Sequence, residues 1–132
     1  MWLPRKRPRL WLVFVVGYPL LSALPQGIVW RVFLAHRYRE IFCDSMDLIA
    51  AGAAAFSLAH LAFWNATALV VTAVGGALFM STYLETASMW LAALEHGAYG
   101  LLAFAAGFGP YLYRGAREPR GGLTAKFDAL GE

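Results

Sequence analysis

Four apolar stretches follow one another along this chain, each bounded by polar or turn-forming residues. The first runs from about Leu10 to Ala35, the second from Asp47 to Trp64, the third from Ala66 to Leu84 and the fourth from Ser88 to Gly109. Each has about the 20 residues a helix needs to cross a bilayer. The pattern predicts an all-α fold, a polytopic transmembrane bundle of about four spans.

The punctuation supports this reading. Pro19 and Pro25 should kink the first segment, because each removes a backbone donor and crowds the preceding turn. They leave open a broken or re-entrant helix. His36-Arg37-Tyr38-Arg39-Glu40 reads as an interfacial connection. Asp44, Ser45 and Asp47 can cap the second helix. The run Ala50-Ala51-Gly52-Ala53-Ala54-Ala55 and the pair Gly75-Gly76 offer small surfaces for close helix contact. Trp64, Asn65 and Trp90 fall at expected interfaces, and Tyr111 and Tyr113 form an aromatic belt after Gly109-Pro110. The sequence divides into a basic N-terminus (1–9), a membrane-embedded core (10–109) and a polar basic tail (110–132), expected to be poorly ordered.

Composition and charge agree. Hydrophobic residues make up 60% of the 132 residues and charged ones 14%, too little polar material to coat a soluble domain. The net charge of +3 sits mostly at the ends, on Arg5, Lys6, Arg7 and Arg9 and on Arg114, Arg117, Arg120 and Lys126. Basic flanks on apolar helices mark cytoplasmic ends, and four spans put both termini on one side. The expected location is a bacterial inner membrane with both termini cytoplasmic and the lipid bilayer as partner. Nucleic-acid binding is excluded, since it would want basic residues along one polar helical face. The N-terminus has the charge pattern of a signal peptide, but no small-residue cleavage site follows and apolarity resumes after Pro25, so a retained span is expected. The single cysteine, Cys43, can form no internal disulfide.

The residues that do not belong in lipid are Gln26, Arg31, His60, Glu95 and His96. Each needs a partner or water. His60 and His96 are expected at comparable depths well inside the hydrocarbon, and the set suggests a shared polar pocket. Isolated histidines bonded to helix backbones are the plainer alternative.

The order of these residues resembles a known family. Phe56-Ser57-Leu58-Ala59-His60 matches F-x-x-x-H. Leu94 to Gly100, with His96, is similar to a following H-x-x-x-N helix, and Leu24 to Arg31 falls where E-E-x-x-x-R would stand. Phe33 to Tyr38 is similar to the tail of that first motif in some bacterial members. Together they resemble the CPBP intramembrane endopeptidases, which include CAAX prenyl proteases and bacteriocin-processing or immunity proteins. The resemblance covers about residues 18–109.

It implies a helical bundle with a polar cavity and hydrolysis of a membrane-bound peptide or protein. A glutamate would activate water, histidines would position the water or a divalent metal such as zinc, and an asparagine would stabilise the oxyanion. By this resemblance the candidate site is His60, His96, Arg31 and Gln26, with His60 and His96 as metal candidates if a metal is used at all. The chain departs from the motifs where the chemistry concentrates. The glutamate pair is Gln26-Gly27 and the asparagine position is Gly100. Glu95 is a weak substitute carboxylate, and Asp44 and Asp47 serve better as caps. The expectation is a protease fold with impaired hydrolysis. The alternatives are a non-catalytic interaction, immunity or scaffold protein and, further off, a transporter or channel subunit. Four short spans could also need a second copy to enclose a cavity.

Overall fold

The computed structural model describes residues 8–42 and 44–109, and they form four helices. These are α1 (Pro8–Tyr38), α2 (Ser45–Ala59), α3 (Ala66–Thr86) and α4 (Met89–Ala106). Tyr111, Tyr113, Cys43, the tail and the basic residues of both ends other than Arg9 lie outside the described residues. Among the described residues, three helices are long and apolar enough to cross a membrane. They are α1, α3 and the segment Ser45–Phe63 that contains α2. The 18-residue α4 carries Glu95 and His96 in its middle and is not one of the three.

The two prolines do not break α1. Wide π turns at Pro19–Ala23 and Ile28–Phe33 alternate with α-helical turns, and the backbone stays right-handed helical at every junction. In a π turn each N–H reaches five residues back, as the Leu24 N–H does to the Pro19 carbonyl. The consequence is a straight stripe. Ala23, Gly27, Arg31 and Ala35 are all buried, one every four residues. An α-helix of 3.6 residues per turn would rotate such a stripe away from its neighbours. The wider turns hold it facing the bundle. The helix also runs on to Tyr38, so His36 and Arg37 belong to it and not to the connection.

The helices are joined by short connections, so consecutive ones run antiparallel. The starts of α2, α3 and α4 are capped. Asp44 Oδ1 accepts from the Asp47 N–H at 2.9 Å, Asn65 Oδ1 from the Thr67 N–H at 2.9 Å, and Ser88 Oγ from the Leu91 N–H at 3.3 Å. α2 stops at His60, followed by one 3₁₀ turn, Leu61–Phe63, and Trp64 in the left-handed region. His60 thus lies where the α-helical part of this segment ends, inside the span Ser45–Phe63 and near its end. Its Nδ1 lies 2.7 Å from the Phe56 carbonyl, one of the acceptors a helix end leaves open.

α2 and α3 pack through the small residues, and Ser57 Oγ donates across to the Leu69 carbonyl at 2.8 Å. At the end away from the termini, Ala35, Leu48 and Met80 form a core with Leu34, Phe42 and Tyr83 around it. Outward, Leu12, Val13, Leu21, Trp64 and Trp90 are each more than 65% exposed, an apolar surface suited to lipid. The protein is an integral membrane protein.

A Cβ on Gly76 would sit 3.0 Å from the Cα of Ala53, while one on Gly52 would meet the side chain of Met80, most closely at its flexible end. Gly76→Ala should therefore lower thermal stability in detergent by about 1–3 kcal/mol, and Gly52→Ala by clearly less. Equal effects would show that α2 and α3 are not packed as described.

Candidate active site

The site is built around Arg31. Its position on the buried stripe of α1 leaves it 1% exposed, among the largest fully buried side chains. The guanidinium lies 4.7 Å from the centroid of the Phe56 ring on α2 and 4.9 Å from that of Phe79 on α3. Insertion scales put arginine at a span centre about 2.5–3.5 kcal/mol uphill. A desolvated cation–π contact returns about 2 kcal/mol or more. Two of them are thus enough to hold the charge in place. Glu95 is a carboxylate whose field reaches it. Neither Nη1 nor Nη2 has a hydrogen-bond partner.

His96 comes to the same rings from α4. It stacks on Phe79 at 4.8 Å and meets Phe56 edge-on at 5.5 Å. It is 5% exposed and leaves Nδ1 unpartnered. His60 is half-buried on the other side of Phe56, with ring centroids 4.6 Å apart. Phe56 thus contacts Arg31, His60 and His96 at once. On α1, Gln26 Nε2 donates to Ser22 Oγ at 2.9 Å, and Oε1 is buried without a partner.

Beside this cluster is a cavity of about 960 Å³. Its wall includes Gln26, His60, His96, Tyr18 and Thr72, but neither Arg31 nor Glu95. The wall is drawn from the halves of all four helices nearest the chain ends, from Leu10 on α1 to Phe108 after α4. Arg31 lies behind it, under Phe56 and Phe79. Glu95 is turned to the seam between α3 and α4, where its Oε2 accepts from Thr82 Oγ1 at 2.6 Å. Asp44 and Asp47 lie at the start of α2, in the capping role expected of them.

The donor set does not suit a divalent metal. Among the described residues no three His, Cys, Asp or Glu side chains come together. His60 Nδ1 is already engaged, and the Arg31 cation shares Phe56 with both imidazoles.

Two positions explain what replaces the expected side chains. Gly27 is buried, and a Cβ there would stand 3.9 Å from the Cβ of Ala93, an ordinary contact. Gly100 faces the phenol of Tyr18, whose hydroxyl and ring would overlap any Cβ. Tyr18 also meets His96 edge-on at 6.2 Å. Sequence reasoning passed over Tyr18, Phe79 and Thr82, since a single aromatic or threonine in an apolar span carries no periodic signal. The position of Tyr18 just before Pro19 was the one available hint.

The fold and the buried cluster define an integral membrane protein with a polar site inside its helical bundle. The sequence pattern of the type II CAAX prenyl endopeptidase Rce1-like family matches residues 8–102, and the chain belongs to that family. No curated protein and no solved structure matches the chain.

Because Tyr18 fills the space over Gly100, Gly100→Asn should lower the melting temperature, and Tyr18→Ala in the same chain should recover part of the loss. A double-mutant cycle that shows no coupling would remove Tyr18 from this contact.

Proposed function

We propose that the chain acts at a membrane-bound peptide or protein through a CAAX-type endopeptidase site, with hydrolysis impaired by the loss of a carboxylate at Gln26-Gly27. The family match over residues 8–102 supports the reaction class. The burial of Arg31 and His96 against one pair of rings, next to a cavity that also borders Gln26 and His60, supports a site rather than scattered polar residues. Glutamine cannot take a proton as a general base, and a positioned base contributes on the order of 10²–10⁴-fold in rate.

In this proposal Gln26, Arg31, His60 and His96 make up the site, residues 10–109 are embedded in a bacterial inner membrane, and both termini are cytoplasmic. The basic residues at both ends support that orientation. The cavity, bordered by the helix halves nearest the termini, then faces the cytoplasmic leaflet. A second copy of the chain can complete the enclosure on the lipid side.

Gly27→Glu restores a carboxylate on the stripe that carries Arg31, at a position with room for a side chain to start. Cleavage of a prenylated peptide in liposomes should rise on the order of 10²–10⁴-fold in that variant, and His96→Ala should abolish the gain. A folded Gly27→Glu protein that gains nothing would favour the non-catalytic interaction or immunity role. Orientation is checked separately. In a Cys43→Ala background, an impermeant thiol reagent should label Glu40→Cys in intact cells and Arg9→Cys only after lysis. The reverse pattern would invert the topology.

A further inference from the structure

Several donors on the cavity wall are committed within their own helices. Gln26 gives Nε2 to Ser22 Oγ at 2.9 Å, Thr72 gives its hydroxyl to the Ala68 carbonyl at 2.7 Å, and His60 keeps Nδ1 on the Phe56 carbonyl. Arg31 has free donors but lies behind Phe56 and Phe79, off the wall. Tyr18 differs from all of these. Its hydroxyl bonds to no described residue and is not among the buried unpartnered atoms, so it is open to the cavity it lines. A phenol has one proton to donate.

Packing alone fixes where that donor points. The Tyr18 ring stacks on Phe14 at 5.2 Å and meets Phe104 edge-on at 5.7 Å and His96 edge-on at 6.2 Å. A Cβ added to Gly100 would overlap the hydroxyl, which therefore stands where a side chain of residue 100 would begin. Residues 96 and 100 are four apart on α4, and side chains at that spacing share a helix face. The phenol thus brings a donor from α1 to the face of α4 that carries His96, and only glycine at position 100 leaves room for it. The motif resemblance puts an asparagine, an amide donor, at that position. Here a hydroxyl from another helix fills the place.

We propose that the Tyr18 hydroxyl donates to the carbonyl oxygen of a peptide bond held in the cavity and stabilises the oxyanion that develops on it. This deepens the endopeptidase reading above and rests on it. As a water oxygen bonds to the carbonyl carbon, the π pair of the C=O bond moves onto the carbonyl oxygen, where the Tyr18 O–H meets it. The pair returns as the C–N bond breaks, and the proton lost by the water goes to the leaving nitrogen. In the Gly27→Glu variant the introduced carboxylate carries that proton between them. One water is consumed, and a carboxyl group and an amine are formed. Tyr18 keeps its own proton throughout, and its hydrogen bond strengthens as negative charge grows on the oxygen.

The test is Tyr18→Phe, which keeps the ring and its packing and removes only the hydroxyl. In the Gly27→Glu background, in phosphatidylcholine liposomes, kcat for the prenylated peptide should fall on the order of 10²–10³-fold with KM little changed. Tyr18→Ala combined with Gly100→Asn should retain more activity than Tyr18→Ala alone. An unchanged kcat in Tyr18→Phe overturns the proposal. If Gly27→Glu gains no activity, the endopeptidase reading fails and binding decides the role of the donor. Infrared spectra of the same peptide, ¹³C-labelled at the candidate scissile carbonyl, are then compared on the wild-type and Tyr18→Phe chains. A carbonyl band at lower frequency on the wild-type chain supports the hydrogen bond from Tyr18. Bands at the same frequency overturn it.

Discussion

The arrangement depends on one buried cation. Arg31 reaches from α1 to the faces of Phe56 on α2 and Phe79 on α3, and Phe79 carries the contact on to His96 of α4. A single guanidinium thus touches or links all four helices. A charge in this position is tolerable only if the surrounding groups compensate for lost water. Two aromatic faces and the field of Glu95 do so here. Without them the arginine would have to reach a headgroup region, and the stripe of α1 that faces the bundle would turn with it.

The other local features keep that contact in place. Wide turns in α1 keep residues 23, 27, 31 and 35 in line. Glycine at position 76 lets α3 approach the Ala53 backbone, which brings Phe56 and Phe79 together beside the guanidinium, their ring centroids 6.4 Å apart. Gly97 packs on Pro19 and draws α4 against the first π turn, which sets His96 beside Tyr18 and Phe79. Prolines that look disruptive in a helix become contact surfaces once the ladder is widened around them.

The helical class and the membrane environment were legible from hydrophobic runs alone, since period and length need no partner to be read. The caps Asp44, Asn65 and Ser88 were legible in kind for the same reason. Three things were not. Proline predicts a disturbed ladder, but whether it is resolved by a break or a π turn depends on what the helix packs against. The end of α2 at His60 depends on an imidazole bonding back to Phe56, a choice of partner that no spacing encodes. The contact of Arg31 with Phe79 crosses 48 positions of sequence (79 − 31) and is set by packing. The motif order brought Arg31, His60 and His96 to attention as a set, but not the phenylalanine that joins them.

Under the proposed endopeptidase function the consequence is a split between scaffold and chemistry. Burial, charge and a neighbouring cavity are in place, while the position that would carry a carboxylate is a glycine packed on Ala93. Everything in this reading follows from Arg31 being held inside the bundle. The most direct measurement is a dipolar-recoupling distance between ¹³C at Arg31 Cζ and the ring carbons of Phe79, recorded on the chain in lipid bilayers. The account predicts strong coupling, in keeping with 4.9 Å from Cζ to the ring centroid. An Arg31 Cζ that couples to lipid phosphorus and not to the Phe79 ring would contradict it.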